Sequence, residues 1–97
     1  MDPCLLSHKE VELIKEKLVF WEITEIKMER KFIFKDFKQA FGFIAQVALA
    51  AEQLNHHPDW QNSYNRVIIK LSTHDLGGIS KLDIKLAEDI ESIIKKA

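Results

Sequence analysis

The sequence contains little of what marks linkers, disulfide frameworks and membrane spans. Its 97 residues include one cysteine, Cys4, with two prolines and three glycines. A single cysteine excludes an internal disulfide and fits a reducing compartment, and so few prolines and glycines leave no linker or low-complexity segment. No apolar run approaches the roughly 18 residues that a membrane-spanning helix needs. We therefore expect one domain over residues 1–97, located in the cytoplasm.

An excess of charge of either sign is also missing. The sequence has 14 Lys and Arg residues against 15 Asp and Glu residues, which gives a net charge of −1 at pH 7. This balance offers no basic surface to nucleic acid. The first residues, Met1 to Cys4, lack the basic segment and the apolar core of a secretory signal. We expect neither nucleic acid nor a membrane among the partners.

Hydrophobic periodicity predicts an α+β fold with three helices and about four strands. Apolar residues recur at helical spacing after Ser7, Asp36 and Ser80, each of which can cap a helix. Alternation with a period of two marks the strands. We expect a small antiparallel sheet with the helices on one face, in the order α-β-β-α-β-β-α. The predicted helices are 8–18, 37–54 and a last one from 81 onward; the predicted strands are 19–23, 27–34 and 66–72, with a connection at 62–65 and a short extended piece near Ile79.

The helix predicted at 37–54 has an apolar face about half its circumference wide, more than one contact with a sheet requires. We expect Phe37, Phe41 and Ile44 to cover the sheet, which leaves Phe43 and Leu49 toward the margins. Burial of such side chains between copies of the chain would be favourable. The sequence thus predicts a homodimer or homotetramer assembled through helix 37–54.

Two adjacent histidines follow this helix, in the segment His56-His57-Pro58-Asp59-Trp60. Proline cannot continue a helix and biases the preceding residue away from helical backbone, so we expect His56 in the last helical turn and His57 in an extended exit. The two side chains then point in different directions and can line one concavity. Imidazoles exchange protons near neutral pH, which makes this helix end a candidate for proton-transfer chemistry on a flat ring.

His74, in the loop after strand 66–72, and Asp83, at the start of the last helix, are further candidates. A zinc site is one alternative, but adjacent histidines fit the usual ligand spacings poorly and Cys4 is remote. A serine hydrolase is another, but the sequence has no glycine pattern of a nucleophile elbow. Asp83 stands three residues after Ser80, the spacing of a capping box, so its carboxylate can cap the helix, serve the chemistry, or do both.

Together these residues resemble the pterin-4a-carbinolamine dehydratases. The resemblance covers roughly residues 21 to 95, and its most specific part is His56-His57-Pro58-Asp59-Trp60 followed by Tyr64-Asn65 and Thr73-His74. Gln53, where many members have Lys, and Ile79, where Leu is usual, are mild departures. The other matching segments are Phe32-Ile33-Phe34-Lys35-Asp36-Phe37, Phe41-Gly42-Phe43, Ala51-Glu52, Val67, Gly78 and Asp83.

The resemblance implies loss of water from a 4a-hydroxytetrahydropterin, such as 4a-hydroxytetrahydrobiopterin, to give the quinonoid dihydropterin in tetrahydropterin recycling. It implies no cofactor and no metal. The catalytic set would be His56, His57, His74 and Asp83: His56 and His74 would donate protons to the leaving hydroxyl, His57 would hold the pterin, and Asp83 would orient or charge-balance His74. The substrate-binding set would be His56, His57, Pro58, Thr73, His74, Asp75 and Leu76.

The resemblance also implies a second class of function. In some members the same scaffold is a partner-binding module, either the dimerisation cofactor of a transcription factor or an assembly-factor-like relative that has lost its catalytic residues. Members form dimers through sheet edges and tetramers through the helix that corresponds to 37–54. Because this chain retains the three histidines and Asp83, the sequence favours the dehydratase and keeps the binding module as the alternative.

Overall fold

A computed structural model describes residues 4–96 and contains three helices and one four-stranded antiparallel sheet. The elements follow in the order α-β-β-α-β-β-α, which confirms the predicted fold class. In this part of the chain, no helix combines the length and the apolar content needed to cross a membrane. The helices are α1 (His8–Lys17), α2 (Phe37–Leu54) and α3 (Lys81–Lys96); the strands are β1 (Glu22–Ile23), β2 (Met28–Ile33), β3 (Asp59–Ser63) and β4 (Arg66–Leu71), and a 3-10 turn covers His74–Leu76.

The sheet has the strand order β1-β2-β4-β3, with every neighbouring pair antiparallel. Strand β4 lies inside the sheet, and its alternate residues Val67, Ile69 and Leu71 are buried, as a period of two with one apolar face predicts. Among the described residues, strand β3 is an edge strand that pairs only with β4, and all five of its residues are exposed. The sheet therefore ends in an unpaired edge immediately after the His56-His57 segment.

The position of the fourth strand differs from the prediction. We expected a connection over 62–65 and an extended piece near Ile79, whereas the fourth strand is β3, at Asp59–Ser63. Ser63 pairs with Arg66, so the hairpin loop has two residues, and Tyr64 takes a positive φ of 52°. Two-residue hairpin loops need such backbone, but they usually have glycine or asparagine at that position. The sequence signal for this hairpin is therefore weak.

The first hairpin is shorter than predicted. Val19 and Phe20, expected in a strand, lie outside β1 and are exposed, because β1 has only two residues. The turn lies between the predicted strands 19–23 and 27–34, where the Thr24 hydroxyl accepts hydrogen bonds from the backbone N–H groups of Ile26 and Lys27, each at 3.1 Å. A side chain that satisfies two turn donors replaces the glycine-containing turn that hairpins usually have.

Helix α2 begins at the predicted cap, Asp36, whose carboxylate accepts the Gln39 N–H at 2.9 Å. Its orientation on the sheet differs from the prediction, because Phe43 is the buried phenylalanine and Phe37 and Phe41 are 48% and 54% exposed. The Phe43 ring packs 4.7 Å from Phe32 and 5.1 Å from Phe34, centroid to centroid. This aromatic cluster fixes the rotation of the helix, and Phe37 and Phe41 contact each other on its outer side.

Candidate active site

Helix α2 ends at Leu54, as the predicted bounds require, but His56 does not belong to its last turn as we expected. Asn55 adopts left-handed backbone (φ 49°, ψ 43°) and caps the helix, so His56 lies just outside it. The His56 N–H still donates to the carbonyl of Ala51 at 3.1 Å, which is a common way to close a helix C-terminus. Asparagine tolerates this backbone better than most residues. The chain therefore turns sharply before the two histidines.

The His56 side chain contacts the first turn of α3. Its Nε2 atom lies 2.5 Å from Oδ1 of Asp83. The Asp83 side chain is fully buried and the His56 side chain is 11% exposed. A buried carboxylate is stable only when it is paired and hydrogen-bonded. The imidazole of His56 is therefore part of what satisfies Asp83.

The second carboxylate oxygen of Asp83 binds residues that precede α3. Oδ2 accepts the Thr73 hydroxyl at 2.8 Å and the Ser80 backbone N–H at 2.9 Å. The Ser80 contact is the capping-box bond that the spacing predicts, so Asp83 both caps α3 and contacts a predicted catalytic histidine. We expected Asp83 to orient or charge-balance His74, whereas the imidazole that its carboxylate contacts is that of His56, because the helix cap fixes the carboxylate with Oδ1 toward the end of α2.

His57 and His74 differ from His56 in burial. Their side chains are 59% and 77% exposed. His57 Nε2 lies 2.9 Å from Oε1 of Glu52, one turn back on α2, and His74 Nε2 lies 3.8 Å from Oδ2 of Asp59. The site thus has one imidazole held by a buried carboxylate and two that are open to solvent, each beside an exposed carboxylate.

The loop between β4 and α3 brings Thr73 and His74 to the end of α2. The Thr73 N–H donates to the Gly78 carbonyl at 2.7 Å, and Gly77 ends the 3-10 turn with φ of 69°. Of the predicted contact residues here, Thr73 is buried, Asp75 is exposed and Leu76 is half-buried, as is Pro58 across the site. The predicted residues from 56–58 and 73–76 therefore lie on two segments that are joined through Asp83.

The N-terminal segment fastens this loop from outside. The Leu6 N–H donates to the Ile79 carbonyl at 2.9 Å, and Leu5 forms a bridge with Ser80. Gly78 lies so close to two other segments of the protein that an added Cβ would be 2.9 Å from the Glu25 carbonyl oxygen and 2.9 Å from a Leu5 methyl carbon. Only glycine permits this approach without displacement.

A family model described as pterin 4 alpha carbinolamine dehydratase matches residues 5–93 of the chain. The chain belongs to the pterin-4-alpha-carbinolamine dehydratase family. The resemblance seen in the His56-His57-Pro58-Asp59-Trp60 segment is thereby confirmed at the level of the family, and the match extends through α1, which the motifs alone did not include.

Several relatives are similar over nearly their whole length. One from Prochlorococcus marinus (strain MIT 9515) is 50% identical over 96 residues, which covers 99% of this chain and 100% of the relative. One from Synechococcus sp. (strain WH7803) is 47% identical over 89 residues, covering 92% and 96%. Both carry the provisional name pterin-4-alpha-carbinolamine dehydratase. A crystal structure of a transcriptional coactivator/pterin dehydratase from Brucella melitensis is 43% identical, with a TM-score of 0.88 over 93% of this chain and 98% of that chain.

Three residues at the site of this family member were not in the predicted set. Glu52 and Asp59 lie beside the exposed imidazoles, and Ser80 contacts the buried carboxylate. Glu52 and Asp59 belong to motif segments whose roles remained unassigned, and Ser80 was assigned only to helix capping. Two sequence features could have pointed to them. Glu52 is an acid five residues before a histidine at a helix end, and Ser80 is the cap residue paired with the candidate carboxylate Asp83.

The candidate residues do not converge on a point as metal ligands do. Within residues 4–96, no three His, Cys, Asp or Glu side chains form a group that would hold an ion. Cys4 is exposed. Zinc needs at least three such ligands around one position, and in this chain the imidazole nitrogens are instead directed toward separate carboxylates.

Proposed function

We propose that this protein dehydrates a 4a-hydroxytetrahydropterin to the quinonoid dihydropterin by histidine general acid–base catalysis, and so supports tetrahydropterin recycling. In the reaction the C4a–O bond breaks and the hydroxyl leaves as water after it accepts a proton. A ring N–H gives up a proton, and its electron pair forms the new C=N bond. The sum is loss of one water, with no change in oxidation state and no co-reactant. A site that exchanges protons is sufficient for this chemistry.

The proposed roles are those that the family resemblance implies. His56 and His74 donate protons to the leaving hydroxyl, and His57 holds the pterin. The backbone of Pro58 and of residues 73–76 contacts the edge of the pterin. His57 and His74 are exposed and accessible to a ligand, whereas His56 is held by Asp83 and presents only its second ring nitrogen.

The observation that carries this proposal is the His56–Asp83 pair in a chain of this family. A fully buried carboxylate at 2.5 Å from an imidazole orients that imidazole and compensates its charge while it is protonated. Family members that serve only as binding modules have no need of such a pair. Its retention, with His57 and His74 beside it, favours the enzyme.

The direct test is turnover of freshly generated 4a-carbinolamine, followed by ultraviolet absorbance against spontaneous dehydration. We expect the protein to exceed the spontaneous rate and the His8→Ala variant to match wild type, because His8 lies on α1 and pairs with Glu25. We also expect dialysis against a chelator to leave the rate unchanged. A wild-type rate equal to the spontaneous one contradicts the proposal, and zinc-restored activity after chelation contradicts the acid–base mechanism.

A partner-binding module is the second candidate. The Brucella melitensis relative is described as a transcriptional coactivator as well as a pterin dehydratase, and α2 of this chain has an exposed apolar side. Both observations are compatible with a protein partner in addition to catalysis. Absence of turnover in a folded protein would favour this candidate over the enzyme.

A further inference from the structure

A short chain of hydroxyl groups leads to the carboxylate of Asp83. The Thr73 Oγ1 atom lies 2.8 Å from Asp83 Oδ2 and 2.6 Å from Ser80 Oγ. The Leu82 backbone N–H donates to Ser80 Oγ at 3.3 Å. Thr73, Ser80 and Asp83 are all buried, at 8%, 0% and 0% exposed. The hydrogen bonds that Thr73 makes to Asp83 and Ser80 are therefore shielded from water.

Counting protons shows which group donates in each of these hydrogen bonds. An ionised carboxylate only accepts, and a hydroxyl has one proton to donate. If Thr73 gives its proton to Asp83, the 2.6 Å contact with Ser80 is made by the Ser80 proton, and Ser80 in turn accepts from Leu82. Oδ2 of Asp83 then accepts from Thr73 and from the Ser80 N–H, and Oδ1 is left for His56.

We propose that Thr73 and Ser80 are positioning residues that fix Asp83 so that His56 carries its proton on Nε2 and reacts through Nδ1. His56 Nε2 faces an acceptor, so in the neutral ring Nε2 is protonated and Nδ1 is not. Among residues 4–96, Nδ1 of His56 has no hydrogen-bond partner. The proton delivered to the leaving hydroxyl is then the one that Nδ1 acquires when the ring becomes an imidazolium.

The inference rests on the proposed function for its rate, but the position of the proton can be measured without substrate. Protonated and unprotonated ring nitrogens have well-separated ¹⁵N chemical shifts. We expect long-range ¹H–¹⁵N spectra of ¹⁵N-histidine-labelled protein at alkaline pH, assigned with His56→Gln, to show His56 with its proton on Nε2. A wild-type His56 with its proton on Nδ1 overturns the inference, whatever the protein does to a carbinolamine.

Thr73→Val tests the threonine hydroxyl at nearly constant volume. A hydrogen bond to a charged group is removed, so we expect kcat to fall roughly 10-fold or more, with KM nearly unchanged, and a mixture of His56 tautomers in the spectrum. Thr73→Ser keeps the hydroxyl and should recover both the rate and the Nε2–H form. An unchanged tautomer or an unchanged kcat in Thr73→Val, or a failure of Thr73→Ser to recover them, overturns the positioning role.

The chain provides a matched control, because it has two serine capping boxes. Ser7 caps α1 with Glu10, and Ser80 caps α3 with Asp83. Ser80→Ala should shift the His56 tautomer and lower kcat in the same direction as Thr73→Val, and it carries the test if Thr73→Val does not fold. Ser7→Ala removes an equivalent serine cap away from His56 and should change neither. Equal effects of Ser80→Ala and Ser7→Ala would indicate a merely structural role and overturn the inference. If wild type shows the expected His56 tautomer but no turnover, the result counts against the proposed function alone.

Discussion

The three candidate histidines are separated by burial more than by sequence position. His56 is 11% exposed and paired with a fully buried carboxylate, and His74 is 77% exposed. The same substitution must therefore have different consequences for stability at the two sites. Measuring both turnover and the free energy of unfolding for each substitution therefore separates its catalytic effect from its structural effect.

His56→Ala and His74→Ala should each lower the turnover of a 4a-carbinolamine by about 10²-fold or more for the stereoisomer that the histidine serves. His74→Ala should leave the free energy of unfolding within about 0.5 kcal/mol of wild type, because that side chain is exposed. His56→Ala leaves one oxygen of Asp83 unpaired and should cost about 1–3 kcal/mol.

Stopped-flow turnover of each stereoisomer and urea denaturation measure these effects, with His8→Ala as the exposed control. Wild-type rates for both stereoisomers in either variant would remove that histidine as an acid. An unstable His74→Ala, or a His56→Ala as stable as wild type, would contradict the burial argument.

For single residues, the sequence predicts local contacts better than contacts between residues that are distant in the chain. The capping box between Ser80 and Asp83 is local, and its spacing alone predicts the bond that the structure contains. The imidazole partner of Asp83 is not predicted correctly, because His56 is 27 residues away and His74 only nine. Which one meets the carboxylate depends on where Asn55 ends α2, and asparagine in left-handed backbone leaves only a weak signal.

At the scale of elements, long periodic segments are predictable and short hairpins are not. The bounds of α2 match the prediction because 18 residues of helical periodicity follow a cap at Asp36. The β3–β4 hairpin was missed because its turn is made by Tyr64 at positive φ instead of glycine. The rotation of α2 was also missed, since Phe37, Phe41 and Phe43 are equivalent by hydrophobicity and only packing against Phe32 and Phe34 selects Phe43.

The loop that presents Thr73 and His74 depends on close approach at Gly78. Gly78→Ala would place a methyl group 2.9 Å from the backbone oxygen of Glu25, so we expect a loss of about 1–3 kcal/mol in the free energy of unfolding. Gly42→Ala is the matched control, because Gly42 lies inside α2 and, apart from its chain neighbours and the adjacent backbone of the helix, no atom lies within 4 Å of the added Cβ. Removing a helix glycine there should raise stability by about 0.5–1 kcal/mol.

Thermal unfolding of the two alanine variants beside wild type checks the contrast, since 1 kcal/mol shifts Tm by about 4–8 °C in a domain of this size. Gly78→Ala should also lower turnover, because the displaced segment carries Ser80 and leads to Asp83. A Gly78→Ala variant with wild-type Tm would contradict this expectation, because it would show that the loop accommodates the methyl group without loss of stability.

At the scale of the whole molecule, no element within residues 4–96 covers one side of α2. Phe37, Phe41 and Leu49 are 48%, 54% and 70% exposed, on the same helix whose opposite side is buried in the core. Full burial of such a side chain contributes about 1.5–3 kcal/mol. A symmetric interface uses each residue once per copy, so the gain is multiplied across the assembly and can exceed the entropy lost on association.

We therefore propose a homo-oligomer with α2 as a seam, and the unpaired edge of β3 as the second seam that would turn a dimer into a tetramer. The variants of choice are Phe41→Glu and Leu49→Lys, since the structure buries Phe43 and makes it unsuitable. Val19→Lys is the control, because Val19 is 67% exposed and lies outside α2.

Sedimentation velocity at micromolar concentration should give an oligomer for wild type and Val19→Lys and a smaller species for both α2 variants. The size of that species is informative: a dimer indicates that the β3 edge associates independently, and a monomer indicates that α2 is the primary seam. A monomeric wild type contradicts the oligomer itself. Unchanged mass in both α2 variants would remove α2 as a seam, because a charge placed in a closely packed apolar seam cannot be buried without an unfavourable loss of hydration.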